Sequence, residues 1–149
     1  MTDLNQLYKT AVLEHNRNPV NYGKPDTMSH QAQGLNAICG DMINVYLLIE
    51  DEQIQQIYFD GECCAIAMAS ASMMCAFLSG KTVSEARQYF ERFNTLMDKT
   101  NTQTEDPILG GLNVLSSVKK FPSRIKSATL CWHAMLAAMD GQDFATTEK

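Results

Sequence analysis

The side chains best suited to chemistry are thiols, and they stand in two places. Residues 61–72 read GECCAIAMASAS, two adjacent cysteines followed by a run of small residues. Small residues give a helix a face that a neighbouring backbone can approach closely. A helix starting here places Cys64 where the free N–H groups of the first turn face its sulfur. That environment favours thiolate, the form of cysteine that binds a soft metal or attacks sulfur. Upstream, Cys39, Gly40 and Asp41 make a turn in which glycine permits a sharp backbone path, leaving a soft and a hard ligand two residues apart.

The elements between these two places must bring them together. In residues 42–50, Ile43, Val45, Leu47 and Ile49 alternate with Asn44, Tyr46, Leu48 and Glu50, the pattern of a strand with one core face. Asp51 and Glu52 form a tight polar break, and a second strand follows with Ile57 and Phe59 on one face. An antiparallel hairpin returns the chain to the end it left, so Cys39, Asp41 and Cys64 can converge. Three ligands with sulfur in the majority suit zinc or an iron-sulfur cluster, with a fourth wanted from elsewhere. The remaining candidates read as packing. Cys75 lies mid-helix among Met74, Ala76 and Phe77, Cys63 ends its strand pointing away from Cys64, and Met73 and Met74 fill a core. His15 and His30 belong to no ligand-spaced cluster and read as surface polarity.

Around this hairpin the pattern is helical. Residues 4–16 space Leu4, Leu7, Tyr8, Ala11 and Val12 along one face, with Asp3 and Gln6 as a capping-box start. A loop with Pro19, Gly23 and Pro25 follows, and residues 31–36 offer a further edge strand. A helix over 65–79 stops at Gly80, and Thr82 with Glu85 caps another over about 83–93, with Ala86, Phe90 and Phe93 on its apolar side. Residues 98–106 read as a mobile polar loop, and Pro107 starts a short helix toward Val114. Pro122 or Ser123 opens a helix carrying Ile125, Leu130, Trp132 and Met135 to near Gly141, and residues 143–149 read as frayed. The order predicts an α+β fold, a small antiparallel sheet of about three strands with helices on one face, in one domain spanning 1–149.

The totals narrow the function classes. A net charge of -5, from 12 basic and 17 acidic residues, provides no global field for nucleic acid or an anionic membrane. The apolar run 63–78 is broken by Ser70 and Ser72 and is too short to span a bilayer. Five cysteines with no charged leader ahead of the first helix fit a cytoplasmic protein with free thiols.

Three motifs in register carry a resemblance: CGD at 39–41, GECCAIAMASASMM at 61–74 and FPSRIKSATLCWHAM at 121–135, preceded by LYKTAVLEHNRNP at 7–19. Over nearly its whole length the chain resembles the SufU-type, NifU-like iron-sulfur cluster assembly proteins. The resemblance implies a compact α+β fold displaying three cysteines and one aspartate at one end, a site that binds zinc or assembles a cluster and receives persulfide sulfur from a cysteine desulfurase. Its ligands fall on Cys39, Asp41 and Cys64, and Cys63 stands where the family often has glycine. The third family cysteine falls on Ser127, whose hydroxyl is a poor zinc or iron ligand near neutral pH. Cys131, one helical turn on, is a possible substitute; otherwise it packs beside Trp132, or water or a partner's cysteine takes the open position.

Lys126 replaces a histidine of housekeeping IscU-type scaffolds, and FPSRIKS replaces their chaperone-binding Leu-Pro-Pro-Val-Lys motif. The long stretch between Cys64 and Ser127 is also as in SufU-type members. The expected chemistry is a sulfur relay. Cys39 accepts sulfur from a SufS-like desulfurase at a zinc-bound site and passes it to a downstream SUF scaffold or apo iron-sulfur proteins, with Arg124 and Lys126 near the thiolates. The alternatives are a scaffold that assembles a [2Fe-2S] cluster and a paralogue that binds only a desulfurase or zinc.

Overall fold

The computed structural model describes residues 4–147. Its elements are α1 (Leu4–Arg17), β1 (His30–Asn36), β2 (Asp41–Glu50), β3 (Gln53–Glu62), α2 (Ala65–Leu78), α3 (Val83–Met97), a 3-10 segment (Pro107–Val118), α4 (Pro122–Met139) and β4 (Phe144–Ala145). The architecture is α+β, as the order of periodicities predicts. Asp3, the expected cap of α1, lies outside the described residues.

The hairpin forms as the alternation requires. β2 and β3 pair antiparallel, with Val45 opposite Phe59 and Met42 opposite Glu62, and one irregularity at Leu48/Ile49. Asp51 and Glu52 both take positive φ, 53° and 62°, the conformation whose twist matches a two-residue hairpin turn. Ile43, Val45, Leu47, Ile57 and Phe59 are fully buried on the core face.

Two expectations for the sheet are corrected. It has four strands rather than three, in the order β3-β2-β1-β4, and it is mixed, because β4 runs parallel to β1. β1 is therefore an inner strand and not an edge. The tail read as frayed supplies the edge: Asp143 accepts a backbone hydrogen bond from Gln33, and Phe144 and Ala145 pair with Gln33 and Gly34. Two residues are too short for a periodic signal, so only the pairing partner reveals the strand.

α2 and α4 pack together under the sheet, α4 against β1 and β2, and α1 lies outside α2. The small residues do what the composition of α2 suggests: Ala67, Ala71 and Ser70 are fully buried, and Ser70 donates to the Ala128 carbonyl across the helix pair. Close approach recurs on the sheet side, where a Cβ on Gly34 would sit 3.0 Å from Leu130 Cδ1. Trp132 is fully buried and stacks on Phe93 at 4.7 Å. The capping box Thr82–Glu85 forms with both bonds present. α3 runs a turn beyond residue 93 because Leu96 and Met97 reach the core. The 3-10 segment outlasts Val114 for the same reason, through Leu115 and Val118, and is kinked at Gly110, where φ is 53°. Residues 98–106 are tied at several points: Lys119 Nζ donates to the carbonyls of Asn101 and Gln103, and Arg92 pairs with Asp106. No helix among the described residues is long and apolar enough to cross a membrane.

Candidate functional site

Hairpin geometry sets the site at the open end of β2 and β3. Asp41 starts β2 and Cys64 follows β3 by two residues. The last pairs of the ladder hold these ends together, and Gly61 is required there. Its φ is 141°, and a Cβ would stand 2.1 Å from the Met42 carbonyl oxygen. The chain then turns into α2 with Cys64 as its N-cap, in extended conformation, and Cys64 Sγ accepts from the Ala67 N–H at 3.5 Å. The free N–H expected to face this sulfur is thus found, two residues inside the helix.

Asp41 is the centre. Its side chain is completely buried, and its carboxylate faces hydrogen-bond donors. Oδ1 accepts the Cys64 backbone N–H at 2.8 Å, and Oδ2 accepts the Ser127 hydroxyl at 2.7 Å, with Cys64 Sγ at 3.9 Å from the same oxygen. A buried carboxylate without such partners would be costly, so these donors are what allow it to sit here. Ser127, on α4 and 4% exposed, therefore touches the same oxygen as the Cys64 thiol.

Cys39 stands apart from this triad of contacts. It lies half-exposed in the turn 37–40, where its N–H bonds to the Asn36 carbonyl at 3.1 Å and Gly40 takes a φ of 73°. Ile38 beside it is 88% exposed. Cys63 is half-buried and its thiol is pushed up to about 12, first by burial and then by the charges of Asp41 and Cys64. Cys131 is fully buried, 3.5 Å from the Ser70 hydroxyl, and burial pushes its thiol up to about 12. Cys75 is buried in the same core, as its mid-helix position predicts.

Three contributions were not visible in the sequence reading. Tyr8, placed there on an amphipathic stripe, has its hydroxyl pKa raised by burial, with Arg124 opposing and Cys64 adding to the shift. Arg124 itself lies over the Phe121 ring at 4.2 Å. His15, read as surface polarity, is instead a tether: its Nδ1 is 2.6 Å from Ser72 Oγ, which also accepts the Val20 N–H at 2.7 Å, and burial lowers its pKa. Its signal is the spacing of α1 onto the small-residue face of α2, legible only once both helices are paired. Asn36, the third, is fully buried and bonded on all sides.

An α+β fold of this kind is shared with solved structures and a known family. Residues 7–128 match the family described as NifU-like N terminal domain, and the chain belongs to that family. Among its relatives, the zinc-dependent sulfurtransferase SufU of Bacillus subtilis (strain 168) is 36% identical over 134 residues, 89% of each chain. The iron-sulfur cluster assembly scaffold protein IscU of Streptococcus pyogenes serotype M1 is 33% identical over 93% of this chain and 86% of its own. The crystal structure of a protein from Fervidobacterium islandicum AW-1, described as a putative iron-sulfur cluster assembly scaffold protein for the SUF system, superposes with a TM-score of 0.79 at 25% identity, covering 89% of this chain and 96% of that one.

The donor set can be tested against a metal. Two thiols and a carboxylate oxygen have the chemistry that zinc prefers, and Asp41 with Cys64 already stand together. Among the described residues, however, no three His, Cys, Asp or Glu side chains are close enough to hold an ion. The residues fit a metal in kind, with Asp41 and Cys64 in contact.

Proposed function

We propose that this chain serves iron-sulfur cluster assembly by accepting sulfane sulfur from a cysteine desulfurase at Cys39. The observation that carries the reading is the pairing of Asp41 with Cys64 at the sheet end, beside a cysteine on a glycine-hinged turn. The 36% identity to a zinc-dependent sulfurtransferase supports it. Cys39, Asp41 and Cys64 would hold zinc, which when bound keeps thiols deprotonated and shielded.

The chain's own residues then divide the work. Cys39 is half-exposed and next to a protruding apolar residue, Ile38, so its sulfur can be offered to a partner's cleft. Its thiolate attacks the outer sulfur of the desulfurase persulfide. A new S–S bond forms on Cys39, the desulfurase S–S bond breaks, and the desulfurase cysteine leaves as thiolate, so no external oxidant is consumed. Asp41 and Cys64 stay fixed through the ladder and the helix cap while the turn moves. Arg124 in the first turn of α4, and Lys126 just after it, supply positive charge beside Ser127. Recipients are a downstream SUF scaffold or apo iron-sulfur proteins.

A second reading is favoured by the 33% identity to an IscU scaffold: the same thiols and carboxylate build a [2Fe-2S] cluster as cargo. Elemental analysis and X-ray absorption on protein purified without added metal separate the two. Zinc near one per chain with two sulfur ligands is expected for the relay, and iron with equal sulfide would replace it by the scaffold.

A further inference from the structure

Asn36 is the last residue of β1 and lies directly opposite Asp41 in the ladder. It is fully buried, a rare place for an amide, and every polar atom of it is engaged. Its carbonyl holds the Cys39 N–H at 3.1 Å. Its Nδ2 donates to Thr147 Oγ1 at 2.8 Å and lies 3.3 Å from the Lys126 carbonyl, and its Oδ1 accepts the Thr147 N–H at 3.0 Å. The Thr147 hydroxyl, having accepted from Asn36, donates to the Lys126 carbonyl at 3.0 Å. Lys126 precedes Ser127, whose hydroxyl returns to Asp41. The chain of contacts thus closes on itself: Asn36, Thr147, Lys126, Ser127, Asp41, and back to Asn36 across the strand pair.

We infer that the C-terminal strand is a clasp for the site, with Asn36 and Thr147 as positioning residues. They set the Cys39 turn on one side and the start of α4, with Ser127, on the other. β4 delivers Thr147 to this point by pairing with Gln33 and Gly34, which gives the short strand a purpose that its two residues of ladder do not explain. Each bond in the ring is between buried or half-buried groups, where losing one partner costs more than forming the bond gained. The inference rests on the relay reading only for why the position of Cys39 matters.

The test uses the full chain, without metal or desulfurase. N-ethylmaleimide modification of Cys39 and Cys64 is followed by mass spectrometry in the parent, Thr147→Val, Thr147→Ser and Asn36→Ala. Thr147→Val keeps the shape and removes the hydroxyl. The expected result is a rise in the Cys39 rate relative to Cys64 of about three- to tenfold, the size of one lost buried hydrogen bond. Asn36→Ala should change the ratio more, and Thr147→Ser should leave it at the parent value. An unchanged ratio in Thr147→Val, an equal rise at both cysteines, or a Thr147→Ser variant that behaves like Thr147→Val overturns the clasp. Because no sulfur transfer is read, failure of the relay leaves this result intact, and the reverse also holds.

Discussion

Cys64 and Cys131 sit on helices that pack against each other, yet they are opposite kinds of thiol. Cys64 caps α2 at the sheet end, exposed, with a backbone N–H and a carboxylate against its sulfur. Cys131 lies in the α2–α4 seam with no exposure, its sulfur against the Ser70 hydroxyl. The seam is closed by small residues and apolar bulk; the sheet end is held by directed polar bonds around Asp41. Cysteine chemistry here is decided by which of these two regions surrounds the sulfur, and adjacency in sequence decides little. Cys63 shows this best: it neighbours Cys64 but is turned toward the core and resists ionisation.

The contrast is broken most simply by labelling. At pH 8, Cys39 and Cys64 should be alkylated in the native protein, and Cys75 and Cys131 should lag by about a thousandfold or more, since their reaction awaits opening of the core. A Cys131 that reacts as fast as Cys64 would place it at the site and remove the distinction. Stability should divide the same way. Trp132→Ala in the seam should cost about 3–5 kcal/mol in urea titration, and Cys39→Ala in the exposed turn no more than about 0.5 kcal/mol.

Ser127 lies where the two regions meet. Ser127→Ala leaves a buried carboxylate oxygen short of a donor, and a loss of about 1–3 kcal/mol is expected by the same titration. Ser127→Cys supplies a third sulfur, and X-ray absorption of the zinc-loaded variant should count three sulfurs in place of two.

The smallest effects are in the pH profile. Burial lowers the pKa of His15 and His133 from the ordinary 6.5, so the unfolded chain takes up those protons first and stability falls as pH drops below that value. Cys63 and Cys131 are raised from 9.0 to about 12, so the unfolded chain ionises first at high pH and stability falls as pH rises above 9. Thermal unfolding across pH 5 to 10 should show a plateau between these limits. His15→Gln should make the acid side shallower, leaving the share that His133 contributes.

Much of this was legible in the chain. Alternation in residues 42–50 and the polar break at Asp51 and Glu52 are local signals, and a hairpin has one way to return, so the meeting of Asp41 with Cys64 followed from the sequence. The burial of Cys75 and the capping box at Thr82 were equally local. The rest depends on pairing between distant segments, which leaves no local signal. β1 became an inner strand only because two residues near the C-terminus bond to it, and His15 became a tether only because Ser72 faces it. Asn36 carries no pattern at all: a buried amide is explained by Thr147, more than a hundred residues away, and by the start of α4. For Ser127 the sequence showed a missing thiol, and the fold shows instead a hydroxyl committed to Asp41.

The central claim is that sulfur arrives at Cys39. Incubating the chain with a cysteine desulfurase and free cysteine, then mapping persulfide by mass spectrometry after alkylation, tests it directly. One added sulfur is expected on the peptide bearing Cys39, and none on any peptide in Cys39→Ala. Sulfur found on Cys64 alone, or acceptance that persists in Cys39→Ala, would contradict it.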